Sequence, residues 1–187
     1  MLKKLKKCLE YERKDKSIFD IIIYGSFVKG KSKPNDVDVL VIFLGDKLAD
    51  RLDKLQRIKQ RATNLNLNFD FKQILITELF SSDFFARSGV LLEGVSVFRK
   101  NKISELLGFK SYTFFWYTLE GLSHSKKVMF NYVLAGRGSM KGMIKELSAK
   151  RLVNGAVRIP IEHSLEFEEL LKKHTVKFNK KNILEEI

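Results

Sequence analysis

The chain has 187 residues, 44% hydrophobic and 30% charged, which fits one ordinary domain, or a compact catalytic domain with an appendage, and leaves no room for two full-sized domains. Its 35 Lys and Arg against 22 Asp and Glu give a formal charge of +13, a field that attracts polyanions such as nucleic acid or triphosphates and argues against cationic small-molecule ligands. No stretch approaches the roughly 20 apolar residues of a membrane span, the lysine-rich start lacks a signal-peptide apolar run, and the single Cys8 can form no internal disulfide, so a cytoplasmic setting with no membrane partner is expected.

From the N-terminus, Leu2, Leu5, Cys8 and Leu9 recur at helical spacing, which predicts an amphipathic helix from Leu2 to about Lys16. Core packing accounts for Cys8 better than a catalytic thiol does. The nearly continuous apolar run within Ser17 to Tyr24 predicts a strand covered on both faces and stopping at Gly25. A second strand is expected from Asp36 to Phe43 and a long helix from Lys47 to about Asn64, where Leu48, Leu52, Leu55, Ile58 and Ala62 repeat at three and four. Asn68 to Thr77 reads as a third strand, Glu78 to Ala86 as a short aromatic-rich helix, and Gly94 to Phe98 as a small strand. This order predicts an α/β (α+β) fold with a short mixed sheet flanked by helices over residues 1–100, followed by an α+β extension over 101–187.

In the extension, the aromatic run from Phe109 to Tyr117 reads as hydrophobic packing in preference to a base-stacking platform. A helix from Ser125 to Ala135 follows, then the glycine-punctuated basic stretch Gly136 to Gly142, a further helix, a strand at Ala156 to Ile161, a helix from Leu165 to Lys173 and a strand from Val176. Arg137, Lys141 and Lys145 around these glycines could bind an acceptor phosphate through backbone amides at the start of the next helix, with a flexible helix–helix turn as the simpler reading. His124, His163 and His174 have no metal-ligand spacing, and Glu166, Glu168 and Glu169 read as the exposed face of a helix.

The chemistry concentrates between Tyr24 and Val41, where a strand ends in Gly25-Ser26, a second glycine follows at Gly30, and a new strand opens with Asp36-Val37-Asp38. Strand alternation puts Asp36 and Asp38 on one face about 7 Å apart, near enough to hold a pair of metal ions. Hard oxygen ligands of this kind suit magnesium, with manganese as a substitute, and two such ions can serve an in-line displacement at phosphorus. In Asn68-Phe69-Asp70-Phe71-Lys72 the same alternation sends Asp70 to the face opposite its flanking aromatics, making it the candidate third carboxylate. Gly25 permits close backbone approach to a phosphate, Ser26 adds a hydroxyl and an amide, and Lys29, Lys31 and Lys33 add positive charge.

The sequence Gly-Ser, then glycine, then Asp-x-Asp opening a strand resembles the signature of the DNA polymerase beta-like nucleotidyltransferase superfamily, especially its small prokaryotic, minimal branch. Asn35 stands where many relatives carry serine. The resemblance covers roughly residues 1–100 and implies that Gly25 and Ser26, with Lys29 and Gly30, contact a nucleoside triphosphate, while Asp36, Asp38 and Asp70 are catalytic metal ligands for two Mg2+ ions. It further implies transfer of a nucleoside monophosphate to a hydroxyl with release of pyrophosphate. Nucleic acid is the acceptor that the chain's charge favours, and a partner protein, as in toxin-modifying relatives, is the competing one. A catalytically idle binding module of the same fold is the contrasting class, against which the intact Ser26, Asp36, Asp38 and Asp70 count.

Overall fold

The computed structural model describes residues 2–29, 36–65 and 67–187. The chain divides into two compact units, Met1–Leu107 and Gly108–Ile187. Both mix helices and sheets, so the α+β class expected from the sequence holds.

In unit 1, helix α1 (Leu2–Leu9) tightens into a 3-10 turn at Glu10–Lys14 before strand β1 (Ile18–Tyr24). Strand β2 (Val37–Phe43), helix α2 (Leu48–Thr63) and strand β3 (Phe69–Leu75) follow, then helix α3 (Arg87–Glu93), strand β4 (Val95–Ser96) and the single turn α4 (Ile103–Leu106). The sheet runs β3-β2-β1-β4, with β2 and β3 parallel and the other pairs antiparallel. Odd-numbered residues of β1 and β2, among them Ile21, Ile23, Val39 and Val41, enter one core with Leu5, Leu9, Leu55 and Ile58 from α1 and α2. Even-numbered Ile22, Tyr24, Leu40 and Ile42 enter a second core with Val90 of α3. The β1 and β2 runs are therefore almost wholly apolar because both faces are covered.

The helix expected from Glu78 to Ala86 is a correction: a 3-10 turn spans Ile76–Phe80 and the helix begins only at Arg87. Local side chains divert the backbone there. Glu78 Oε2 accepts from the Leu75 amide at 2.5 Å and caps the start of the 3-10 turn, and Ser81 Oγ accepts from the Asp83 amide at 3.3 Å, a local bond that competes with helical ones.

Unit 2 contains strand β5 (Phe109–Thr118), helix α5 (His124–Ala135), the small hairpin β6 (Gly136–Arg137) and β7 (Met140–Lys141), the turn α6 (Met143–Glu146), strands β8 (Lys150–Val153) and β9 (Ala156–Pro160), helix α7 (Ser164–Lys173) and strand β10 (Lys177–Glu186). Its sheet, ordered β10-β5-β9-β8, is antiparallel throughout. Phe115, Val157 and Ile159 on one sheet face pack with Phe130 and Leu134 of α5 and Phe167 and Leu171 of α7. Edge-on ring contacts link Phe115 to Phe167 and Tyr117 to Phe130. The glycine-punctuated segment is thus neither a flexible helix–helix turn nor the lead-in to a long helix. It folds as a hairpin, and the helix after it is one turn. Among the described residues no helix is long and apolar enough to cross a membrane.

Candidate active site

Strand register brings the site together. β1 and β2 pair so that Tyr24 lies opposite Asp38, and the parallel pairing of β2 with β3 sets Asp38 opposite Asp70. Residues opposed across adjacent strands project to the same face, with strands about 5 Å apart, so Tyr24, Asp38 and Asp70 form one row. They occupy the face that Ile22, Leu40 and Ile42 line further along β1 and β2, at the end where that apolar core stops. Phe71 and Phe69 turn to the opposite face and join the α1 and α2 core, which anchors the orientation of Asp70.

The turn after β1 is shaped around the first of these carboxylates. Gly25 has φ +79°, and a Cβ there would lie 2.1 Å from Asp38 Oδ2. Only glycine allows the backbone to pass this close, and the backbone handedness independently requires it. The Gly25 carbonyl then accepts from the amides of Val28 and Lys29 at 3.2 and 3.4 Å, closing a tight turn that includes Ser26.

Three groups near the carboxylates were not assigned a role from sequence. Lys72, on the same face as Asp70, donates to Asp70 Oδ2 at 3.1 Å, and this hydrogen bond first, then the nearby Tyr24, Asp70 and Asp38 oxygens, holds its ammonium above the usual lysine range. Tyr24 is buried and its hydroxyl lacks a well-formed hydrogen bond among the described residues; burial foremost raises its pKa. Glu93, buried at the end of α3, forms an ion pair with Lys29 at 3.0 Å. The ammonium expected to face a triphosphate is therefore engaged by a carboxylate in this conformation.

Burial first, then the charge of Asp36, and further the charges of Asp70 and Glu93 against the opposing Lys72, hold the Asp38 carboxyl above the usual aspartate range. Three further carboxylates thus act on Asp38 around the turn. This crowding of hard oxygen donors is what a divalent cation relieves, and the donor set fits magnesium or manganese. Asp36, Asp38 and Asp70 are the residues that would hold such ions, Asp70 on release from Lys72. Among the described residues no group of three or more Asp, Glu, His or Cys side chains is placed to hold a metal ion. Magnesium sites commonly use one or two carboxylates per ion and complete the shell with water and substrate phosphates.

Gly30, with Lys31, Lys33 and Asn35, lies outside the described residues. Arg137 and Lys141 sit on the β6–β7 hairpin, with the Arg137 guanidinium over the Tyr132 ring, and Lys145 lies in α6. They belong to unit 2, and the carboxylates to unit 1. Cys8 donates weakly to the Arg61 carbonyl, and burial raises its pKa, which makes it a poor nucleophile.

Tyr24, Asp38 and Asp70, aligned at the end of a mixed sheet beside a glycine turn, define the candidate site of an α+β unit. Residues 1–116 match DUF6932, a family of unknown function, and the chain belongs to that family. No curated protein matches the chain.

Proposed function

We propose that this protein is a metal-dependent nucleotidyltransferase that moves a nucleoside monophosphate from a nucleoside triphosphate to a hydroxyl acceptor and releases pyrophosphate. The observation that supports it most strongly is the register that lines up Tyr24, Asp38 and Asp70, together with a Gly25 turn that admits no side chain beside the Asp38 carboxylate. A purely structural sheet end gains nothing from gathering mutually repelling carboxylates under a glycine turn.

In this reading Asp36 and Asp38 bind the metal-bound triphosphate, while Ser26 and the turn amides orient its phosphates. Asp70, released from Lys72, stands on the acceptor side, where it would hold the second ion and take up the hydroxyl proton. The acceptor oxygen bonds to the α-phosphorus as the α–β bridging bond breaks, and pyrophosphate leaves with that electron pair. Magnesium, or manganese, supplies neutralisation of the triphosphate charge and makes the attacking hydroxyl more acidic. Lys29 holds Glu93, so its role is to keep that buried carboxylate paired behind the turn.

The test is incubation with magnesium, each α-labelled triphosphate, and separate pools of RNA, DNA and protein. Label is expected to enter one pool, with transfer lowered at least about 100-fold in Asp36→Asn and Asp38→Asn. Transfer at the parental rate in both variants overturns the site, and absence of transfer to every pool favours a binding module.

A further inference from the structure

The strand β5 sorts its aromatic residues by alternation. Phe115 and Tyr117 turn toward the α5 and α7 helices, while Tyr112, Phe114 and Trp116 form a row along the other face of the sheet. Among the described residues no helix of unit 2 joins a core on that face. Trp116 is 40% exposed, and its cross-strand neighbours are Asn179 on β10 and Ala156 on β9. Both are short, so the indole stands above them.

The next row across the sheet is Lys181, Phe114, Arg158 and Lys150, one residue from each of the four strands. An aromatic ring is thus flanked by cations on both sides. The Arg158 guanidinium lies 4.3 Å from the centroid of Tyr112 and is also bonded to Glu185. Lys177 extends the positive edge beyond Trp116, and Glu185 is the acidic counterpart among the strand residues of this face.

We infer that this face of unit 2 binds single-stranded nucleic acid, with Trp116 and Phe114 as stacking platforms and Lys181, Arg158 and Lys150 as phosphate contacts. One exposed and two half-buried aromatics interleaved with lysine and arginine match bases and phosphates together. A protein partner would instead be met by an aromatic and aliphatic patch depleted in lysine. The Phe114 and Trp116 rings lie 5.6 Å apart by centroid and are tilted by 49° to one another, so they do not present the parallel planes of a duplex stack. The rings therefore suit splayed single-strand bases and not a continuous duplex stack. As a statement about the acceptor, this inference rests on the transferase reading; as a binding surface, it does not.

Trp116 is the chain's single tryptophan, so its fluorescence reports this face alone. The full-length protein is titrated, without triphosphate or divalent metal, with 12-nucleotide RNA, DNA of the same sequence, and the corresponding duplex. Binding is read by anisotropy of a labelled strand and by quenching of Trp116. Single strands are expected to bind more tightly than the duplex and to quench Trp116, and the RNA and DNA arms identify the preferred backbone.

Phe114→Ala and Trp116→Ala should each weaken single-strand binding roughly 5- to 150-fold, the range of one lost base stack, with Trp116→Phe restoring most of it. Lys181→Gln should lower the slope of log affinity against log salt by about one. Circular dichroism matching the parent establishes that each variant is folded. Strand binding that leaves Trp116 fluorescence unchanged overturns the inference, as does tighter binding of the duplex. Self-association abolished by Trp116→Ala, with no strand bound, overturns it in favour of an interface between copies of the chain. Strand binding without label transfer removes the transferase reading and leaves this surface standing. Transfer to protein without strand binding does the reverse.

Discussion

The two sheets put their polar and aromatic residues to opposite uses. The unit 1 sheet is covered on both faces, so any charged side chain on its strands must either be fully partnered or lie where coverage ends. The unit 2 sheet is covered by helices on one face, and its information lies in the aromatics that were not needed for the core. In a doubly covered sheet the unusual residue is the carboxylate; in a half-covered one it is the exposed ring.

Within unit 1 two strand aspartates sharpen the contrast. Asp20, 1% exposed, accepts from Ser96 Oγ at 2.7 Å, from the amides of Ile21 and Phe98, and from the Arg99 guanidinium. It is completely satisfied and ties β1 to the segment after β4. Asp38 lies on the same sheet face, where burial and neighbouring carboxylates outweigh the opposing Lys72. One aspartate holds the fold, and the other opposes it.

The largest expected effect falls on catalysis. Asp38→Asn should reduce label transfer at least about 100-fold, measured per folded molecule, whereas Asp20→Ala should change the folded fraction without abolishing transfer in what remains folded. Next, Asp20→Ala removes one partner of an ion pair buried on the aspartate side, a loss of about 3 kcal/mol. By calorimetry this should lower the melting temperature by roughly 6–12 °C. An unchanged melting temperature would erase the distinction between the two aspartates.

A smaller loss is expected at the turn. Gly25→Ala must adopt a left-handed backbone, at about 1–2 kcal/mol, and displace the Asp38 carboxylate. Urea denaturation should show the destabilisation, and transfer should fall with it. The smallest effect has the opposite sign. The folded-state pKa of Asp38 lies above its ordinary value, so its ionisation favours the unfolded chain. That penalty is full at neutral pH and fades as pH falls through the raised pKa. In chelator, Asp38→Asn should therefore melt slightly higher than the parent at pH 7, with the difference vanishing near about pH 3. A lower melting temperature at pH 7 would mean that Asp38 is a structural partner like Asp20.

How much of this was legible in the sequence depended on locality. The strand ending at Gly25 and the pair Asp36 and Asp38 opening β2 could be read because each signal lies within one element. Asp70 could be assigned a face from its flanking Phe69 and Phe71, while its position opposite Asp38 required the parallel pairing of β2 with β3. Glu93 carried no motif. It ends a helix that the Ser81 to Asp83 turn displaces from where the aromatic residues suggested it, and only the fold brings it to Lys29. On β5 the run from Tyr112 to Tyr117 is too uniformly apolar for a period of two to stand out. The row of half-buried Tyr112 and Phe114 with exposed Trp116 emerged only when neighbouring strands set the register.

The central claim is that the Asp36, Asp38 and Asp70 cluster holds the metal-bound triphosphate. Electron paramagnetic resonance of manganese, titrated with protein in the presence of an α,β-methylene nucleoside triphosphate, tests it without knowledge of the acceptor. The parent should remove the free-manganese signal saturably, and Asp38→Asn and Asp70→Asn should leave it nearly unchanged. Equal manganese binding by the parent and both variants would contradict the account.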